Sequence, residues 1–579
     1  MELQRSQTDI LILGSGGAGL FAALHAHAAD PNLSITIATK GLLGKCGCTR
    51  MVQGGYNVAL NPGDSIERHF MDTIEGGKWL PHQELAWVLV NKAVERVREL
   101  ENEIGCFFDR NPDGTLHGKA FAGQTFDRTV HKGDLTGIEI INRLMEQVLA
   151  RPQVQRLEEH RALGLIPSRD GRSLSGVLLA DIRTGRLHFV QAKAVLLATG
   201  GGPTMYRYHT PSGDKSMDGL AMALRAGLRL RDMEMVQFHP TGLLAGPDTR
   251  MTGTVLEEGL RGAGGHLLNG SMHRFMGDYD PKLERATRDV VSRAIYAEMK
   301  AGRTTKLGGV YIKMSHLGPK DVAKKFKGMV DRCRDSGFDL AGGLVEVVPT
   351  AHYFMGGVVC EVDTSTEVAG LFVAGEDASG MHGANRLGGN GVANSTVFGG
   401  IAGDVMPGWI AANPGYRPPD EDVLASEIAR SAHPFTRKPG DLNSLRDRLL
   451  DLMWDDVGVV RDAEGIDRAL VKLDEFEAEL METGVSSDNL AFNLTWQDWL
   501  NLRSLCETSR VIAHAAKRRE NSRGAHYRSD FPEPGDLPTS CFTVVRQGTD
   551  GKLAISEEPV QFTRVKPGES LLQPAIAAE

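Results

Sequence analysis

Asp9-Ile-Leu-Ile-Leu-Gly-Ser-Gly-Gly-Ala-Gly-Leu20 is the stretch whose reading decides the fold. Ile10 to Leu13 read as a buried strand, and Gly14, Gly16 and Gly19 follow at G-x-G-x-x-G spacing. An alanine-rich helix, Leu20 to Ala29, comes next. Glycine at 14 permits a tight turn, Gly16 lets backbone approach a pyrophosphate, and Gly19 lets helix and strand pack closely. Ser15 lies inside the same turn, where the helix N-terminus faces the phosphates. The spacing alone is a weak signal. Held between a strand and a helix, it reads as a dinucleotide site.

Working outward, Leu33 to Thr39 alternates as a second strand and ends at Lys40. An NAD site would place an acidic residue there for the ribose; Asp30 comes too early, which favours FAD. Glu84 to Ile104 has the apolar spacing of a long amphipathic helix, with Gly105 ending it. Val177 to Leu187 and the residues after it read as a hairpin turning at Arg183-Thr-Gly185. Ala194 to Gly202 is a buried strand running into a glycine turn at Thr199-Gly200. Helical periodicity dominates 420–520, as in Leu442 to Leu452 and Leu502 to Ala516. Past a Pro- and Gly-rich link, Cys541 to Val545 and Val560 to Val565 read as two tail strands.

At 579 residues the chain should form two to four units. A net charge of -9 gives no support to nucleic-acid binding. Seven cysteines, an odd number, argue against a disulfide framework and for a reducing, cytoplasmic setting. The first strand begins near residue 9, leaving no room for an export signal. No run approaches the length of a membrane span, so membrane association would come only through a partner subunit.

The loop after Lys40 ends in Gln53-Gly54-Gly55 and Asn57-Val-Ala-Leu60. Lys119 to Thr125 and Asp134 to Gly137 follow, then Ser216-Met-Asp218 and Val236-Gln-Phe-His-Pro-Thr-Gly242. Further on come Glu257-Glu-Gly-Leu-Arg-Gly262, Arg288-Asp-Val-Val-Ser-Arg293, Pro349-Thr-Ala-His352, Leu371 to Glu376 and His382-Gly-Ala-Asn-Arg386-Leu-Gly-Gly-Asn390. In order and context these blocks resemble the flavoprotein subunit of succinate dehydrogenase and fumarate reductase. L-aspartate oxidase is the nearest alternative branch.

The resemblance implies an α/β fold: a Rossmann-like FAD-binding domain with an inserted α+β capping domain and a C-terminal helical domain. The expected bounds are 1–242 and 352–410 for the FAD part, 243–351 for the cap, 411–530 for the helices and 531–579 for the tail. It implies FAD contacts from Gly14, Ser15, Gly16, Gly19, Lys40, Gln53, Gly54, Gly55, Thr199, Gly200, Asp218, Glu376 and Asn390. It also implies interconversion of a dicarboxylate and its unsaturated partner, with hydride moving at flavin N5. His239, His352 and Arg386 would hold the carboxylates, with Phe121 and Gly54 bounding the pocket. Arg288 would be the proton donor, with Glu258 and Arg261 as its relay.

Two positions depart from the family. The covalent FAD histidine is replaced by Cys48, which favours noncovalent FAD and leaves a cysteinyl link as the alternative. Cys46-x-Cys48 alone makes a poor metal site, and none is expected. A hydroxyl residue before the relay glutamate is replaced by Glu257, which leaves open a substrate with an altered substituent. No haem or cluster motif is present, so electrons need an external partner such as an iron–sulfur subunit. The alternatives are amine oxidation of the aspartate-oxidase kind and a non-catalytic FAD-bearing subunit.

Overall fold

The computed structural model describes residues 2–247 and 249–572; the end of the expected tail, 573–579, lies outside them. β1 (Leu3–Leu13), α1 (Gly17–Ala29) and β2 (Ile35–Thr39) form the opening unit, the helix starting one turn earlier than the alanines suggest. β1 and β2 are parallel, with Ile10 opposite Ile35. β3 (Val154–Glu158) extends the sheet beside β2, and β4 (His160–Pro167), β5 (Leu174–Asp181) and β6 (Leu187–Leu197) form an antiparallel meander. The order is β3-β2-β1-β6-β5-β4, and the short strand Leu371–Val373 joins β6. The hairpin turns where its Arg-Thr-Gly sequence predicts. Its return strand and the apolar run from Ala194 are, however, one eleven-residue strand, because β6 pairs with β5 at its start and with β1 along its length.

β7 (Val236–Leu243), β8 (His266–Leu268), β9 (Val310–Lys313) and β10 (Leu344–Phe354) build a second, antiparallel sheet in the order β7-β10-β9-β8. α2 (Arg288–Lys300) packs on it. Leu243, Leu256, Val291, Ile295, Val310 and Val347 belong to an apolar cluster separate from the main core. α3 (Asn390–Ala412) then returns to the first sheet and crosses α1 at close range. A Cβ on Gly399 would lie 2.5 Å from the Ala18 carbonyl oxygen, and one on Gly403 would lie 2.5 Å from that of Ala22. Small residues on both helices permit this approach.

α4 (Leu442–Asp456), α5 (Ala463–Glu482) and α6 (Leu494–Arg518) form the C-terminal helical part, and their apolar faces share one core with the first sheet. Trp496 and Trp499 are fully buried in it, each donating its indole N–H to a carbonyl, Ser431 and Leu480. β11 (Cys541–Gln547) is the first tail strand, and its partner β12 is Leu553–Pro559 rather than 560–565. Val560 and Val565 are apolar for another reason: each docks into a different cluster, one with Phe542 and one with Phe70. The fold is therefore the Rossmann-like sheet, inserted α+β cap and C-terminal helices that the family resemblance implies.

Candidate active site

One elongated cavity of about 460 Å³ runs from the glycine loop of β1 to the capping sheet. At its first end, Gly14 has φ +112, and a Cβ there would lie 2.1 Å from the Ala198 oxygen. Gly19 faces away from the cavity, against the Gly14 carbonyl, where a Cβ would sit at 2.0 Å. A Cβ on Gly16 would meet only the Thr49 hydroxyl, at 3.6 Å, so its backbone is open to a ligand. Ser15 fixes the surrounding loops, donating to Thr39 at 3.1 Å and accepting from the Gly44 N–H. Neither α1 nor α3 has a side-chain N-cap, and both helix starts line this cavity. Two helix N-termini facing the cavity and an open glycine loop fit the diphosphate of FAD.

Lys40 Nζ donates to Asp218 at 3.1 Å and to Asn501 at 2.8 Å, and Arg161 donates to the other Asp218 oxygen at 2.6 Å. Burial, with Arg161 beside it, lowers the lysine to about 8. Burial opposes the Asp218 charge, but Arg161 and Lys40 outweigh it and hold the carboxyl far below its usual range. Thr199 and the Gly200 N–H both donate to Asp377. Glu376 lines the cavity, accepts from the Phe354 N–H at 2.8 Å and is pushed up to about 7 by burial. Gln53 reaches across to the Val255 oxygen at 3.2 Å, leaving its own Oε1 buried without a partner. Gly55 has φ +144 and would press a Cβ against Val130. The Asn390 side chain is turned inward, held by Asn57, His69 and Thr73, so only the helix start it opens borders the cavity. Burial pushes the Cys48 thiol up to about 12, leaving it neutral.

At the capping end, β7 and β10 pair with His239 opposite Thr350, which brings His239 and His352 edge to face at 5.3 Å between ring centres. The Thr241 N–H donates to His239 Nδ1 at 3.3 Å, so the ring proton sits on Nε2. Burial and then Arg288 depress both histidines well below their ordinary value, and they are neutral. Arg288 opens α2 and is only 7% exposed. It pairs with Glu258 at 2.6 and 2.9 Å, while its sequence neighbour Asp289 faces Arg293 instead. Arg261 donates to the other Glu258 oxygen at 3.3 Å and to the Glu284 carbonyl at 2.7 Å. Burial opposes the Glu258 charge; Arg288 and Arg261 outweigh it and lower its pKa.

Arg386 has no carboxylate partner among the described residues. It stacks over Tyr353 at 4.2 Å, makes one 3.3 Å bond to the Leu387 oxygen and leaves Nε unpaired. Burial, then Arg288, lowers it to about 10, so it remains a cation at neutral pH. The tip of the Phe121 ring meets Gly54, where a Cβ would sit 2.5 Å from Cζ, which is why that position is glycine. Glu257 is 3% exposed, lines the cavity and meets Lys119 at 3.4 Å; burial raises its pKa.

One residue at the centre went unassigned in the sequence. Gln237 accepts from Arg288 at 2.9 Å and donates to Asn385 at 3.0 Å and to the Arg386 carbonyl at 2.7 Å. The signal was its place two residues before His239, on the same face of a strand. Lys119 stands just as near, and its sequence carried no sign of Glu257 as a partner.

Residues 9–392 match the family model described as FAD binding domain, and 446–571 match that for the fumarate reductase flavoprotein C-terminus. The chain is 39% identical over 541 residues to a subunit of the CoM/CoB fumarate reductase of Methanothermobacter marburgensis, covering 92% of this chain and 96% of that one. It is 32% identical to the fumarate reductase flavoprotein subunit of Escherichia coli, over 98% of this chain and 96% of that one. A solved quinol fumarate reductase flavoprotein from Escherichia coli superposes with a TM-score of 0.92 at 32% identity, over 98% of this chain and 99% of that one.

Proposed function

The chain belongs to the succinate dehydrogenase and fumarate reductase flavoprotein family, an FAD-dependent oxidoreductase family, and from that premise we propose that it interconverts a dicarboxylate and its unsaturated partner. The observation that carries this reading is Arg386, a buried cation with no salt-bridged carboxylate among the described residues, in a cavity that also holds two neutral histidines and Arg288.

In this reading, bound FAD supplies the hydride chemistry. Arg386 holds one carboxylate through paired N–H donors, and His239 offers a neutral Nε2–H donor. Arg288 keeps a proton at the guanidinium for the substrate carbon, clamped by Glu258 and Gln237 and shielded from water. Glu258 and Arg261 return the proton, and the Glu284 carbonyl, accepting from Arg261 at 2.7 Å, holds that guanidinium in place. Phe121 closes the wall above Gly54. The separate apolar cluster over 243–347 supports the proposed cap bounds of 243–351. FAD is held without a covalent bond, since a neutral Cys48 is no nucleophile. Acid precipitation should then leave the flavin in solution.

Electrons come from outside the chain. Among the described residues no three metal-ligating side chains cluster, and all seven cysteines are free. An iron–sulfur subunit is the partner class proposed. No described helix is long and apolar enough to cross a membrane. A second reading rests on Glu257: a dicarboxylate bearing a hydrogen-bond donor such as a hydroxyl or amine, including oxidation of an amine. The test has two arms. Anaerobically, reduced enzyme is mixed with fumarate and a panel of substituted unsaturated acids while flavin absorbance is followed; separately, in air, L-aspartate is given to oxidised enzyme with oxygen as the acceptor. Fast reoxidation by fumarate supports the first reading; a response only to a substituted acid, or peroxide from L-aspartate, supports the second.

A further inference from the structure

Lys215 belongs to none of the pairs described above. It lies on the cavity wall three residues before α-helical Asp218, on the loop that leads from Pro211. The loop is tightly fixed. Met217 is buried at φ +54 and ψ +35, a left-handed conformation that is unfavourable for a side-chain-bearing residue and persists only where packing dictates it. Gly202 accommodates the lysine stem, since a Cβ there would sit 2.7 Å from Lys215 Cβ. Thr204 donates to the Lys215 carbonyl at 2.5 Å. The backbone is thus held on both sides, while the described residues offer Nζ no acceptor within hydrogen-bond distance.

Every acid that faces this ammonium is already engaged or neutral. Asp218 is shared by Lys40 and Arg161. Asp377 accepts from Thr199 and Gly200, and Glu376 from the Phe354 N–H; burial pushes these two up to about 6 and about 7. Cys48 is a neutral thiol, and exposed Asp214 takes the Ser212 hydroxyl.

The loop Cys46–Thr49 lines the same cavity and lies against the start of α1. A Cβ on Gly47 would be 3.8 Å from Gly16 Cα, and Thr49 accepts from the Gly17 N–H at 3.1 Å. That helix start is where a dinucleotide's phosphates belong. We propose that Lys215 is the counter-ion of the FAD diphosphate, completing the anion site that α1 begins. Two charged phosphates then neutralise a cation the protein leaves unpaired, and cofactor loading tightens the 210–218 loop.

The test uses the full chain, stripped of flavin and re-titrated by fluorescence quenching with FAD and with riboflavin, which lacks the diphosphate. Lys215→Met should weaken FAD tenfold to a hundredfold, leave riboflavin unchanged and flatten the dependence of FAD affinity on KCl concentration. Lys215→Arg should restore most of the affinity. The apoprotein melting temperature of Lys215→Met should equal or exceed that of the parent, since an uncompensated cation is gone. Equal weakening of FAD and riboflavin would make Lys215 a contact of the ring or a structural residue and overturn the proposal. So would unchanged FAD affinity, or an unchanged salt dependence where riboflavin binds too weakly to titrate.

Discussion

Arg386→Met separates binding from folding, because the structure gives the two effects opposite signs. Arg386 is 6% exposed and has no carboxylate partner among the described residues. Its burial costs several kcal/mol, offset by the Tyr353 face at about 2 kcal/mol and one long bond at about 1 kcal/mol. Methionine fills similar space without charge, so the free enzyme should be as stable as the parent or about 1 kcal/mol more so. Substrate binding moves the other way. Two charge-assisted hydrogen bonds to a carboxylate are worth about 1.5–3 kcal/mol each, which predicts a fall in kcat/KM of roughly 10²- to 10⁴-fold. The assay is anaerobic reoxidation of the reduced flavin by fumarate, with flavin content and melting temperature measured on the same preparation. A loss of tenfold or less would refute the substrate role. A larger loss accompanied by a lower melting temperature and lost FAD would show that Arg386 holds the fold instead.

Glu258→Gln keeps the shape of the bridge between Arg288 and Arg261 but removes its charge. Single-turnover reoxidation should slow by about 10²- to 10⁴-fold with little change in substrate KM, and an equal rise in KM would point to a binding role instead. Gly14→Ala places a methyl 2.1 Å from the Ala198 oxygen at φ +112, and the ratio of flavin to protein absorbance should fall close to zero; full retention would contradict the cradle. His25 lies between Asp404 and Glu99, both at 2.8 Å. Burial opposes its charge, but the two carboxylates prevail and its pKa is raised in the folded state. That contribution is full below the unfolded value near 6.5 and fades as pH rises through the folded pKa. His25→Gln should therefore lose about 1–2 kcal/mol at pH 5.5 and less at pH 9, as read from urea midpoints; a gap that widened with pH would reverse the sign.

The sheet and its first glycine turn were legible because local rules suffice there. A strand, a turn needing φ > 0 at Gly14 and an alanine helix are all set within about twenty residues. β6 was split in two because its halves pair with different strands, a fact of topology rather than pattern. The second tail strand was displaced because apolar Val560 and Val565 look like strand positions but serve as two separate anchors. In the site, the types and order of the residues were readable, but their pairing was not. Nothing local says that Arg288 pairs with Glu258, thirty positions earlier, rather than with adjacent Asp289. The same holds for Lys119, whose partner Glu257 lies 138 positions away and meets it only in the folded chain.

These long-range pairs have a consequence for how the site is assembled. Glu257, Glu258, Arg261 and Arg288 all come from the segment with its own apolar cluster, while Arg386, Phe121 and Gly54 come from the part around the first sheet. His239 and His352 sit on β7 and β10, the two paired strands through which the chain leaves the first part and returns to it. A body with its own core can move as a unit, and those two strands are the covalent route by which it does so. On the proposed mechanism, the proton-donating side would be carried by one body and the carboxylate-holding side by the other, with the histidines at the joint. Lys119–Glu257 and Gln237, which touches both Arg288 and the Arg386 backbone, link the two sets of residues. An arginine acid requires that water be excluded, so under that proposal closure of the two bodies and the condition for proton transfer would be one event.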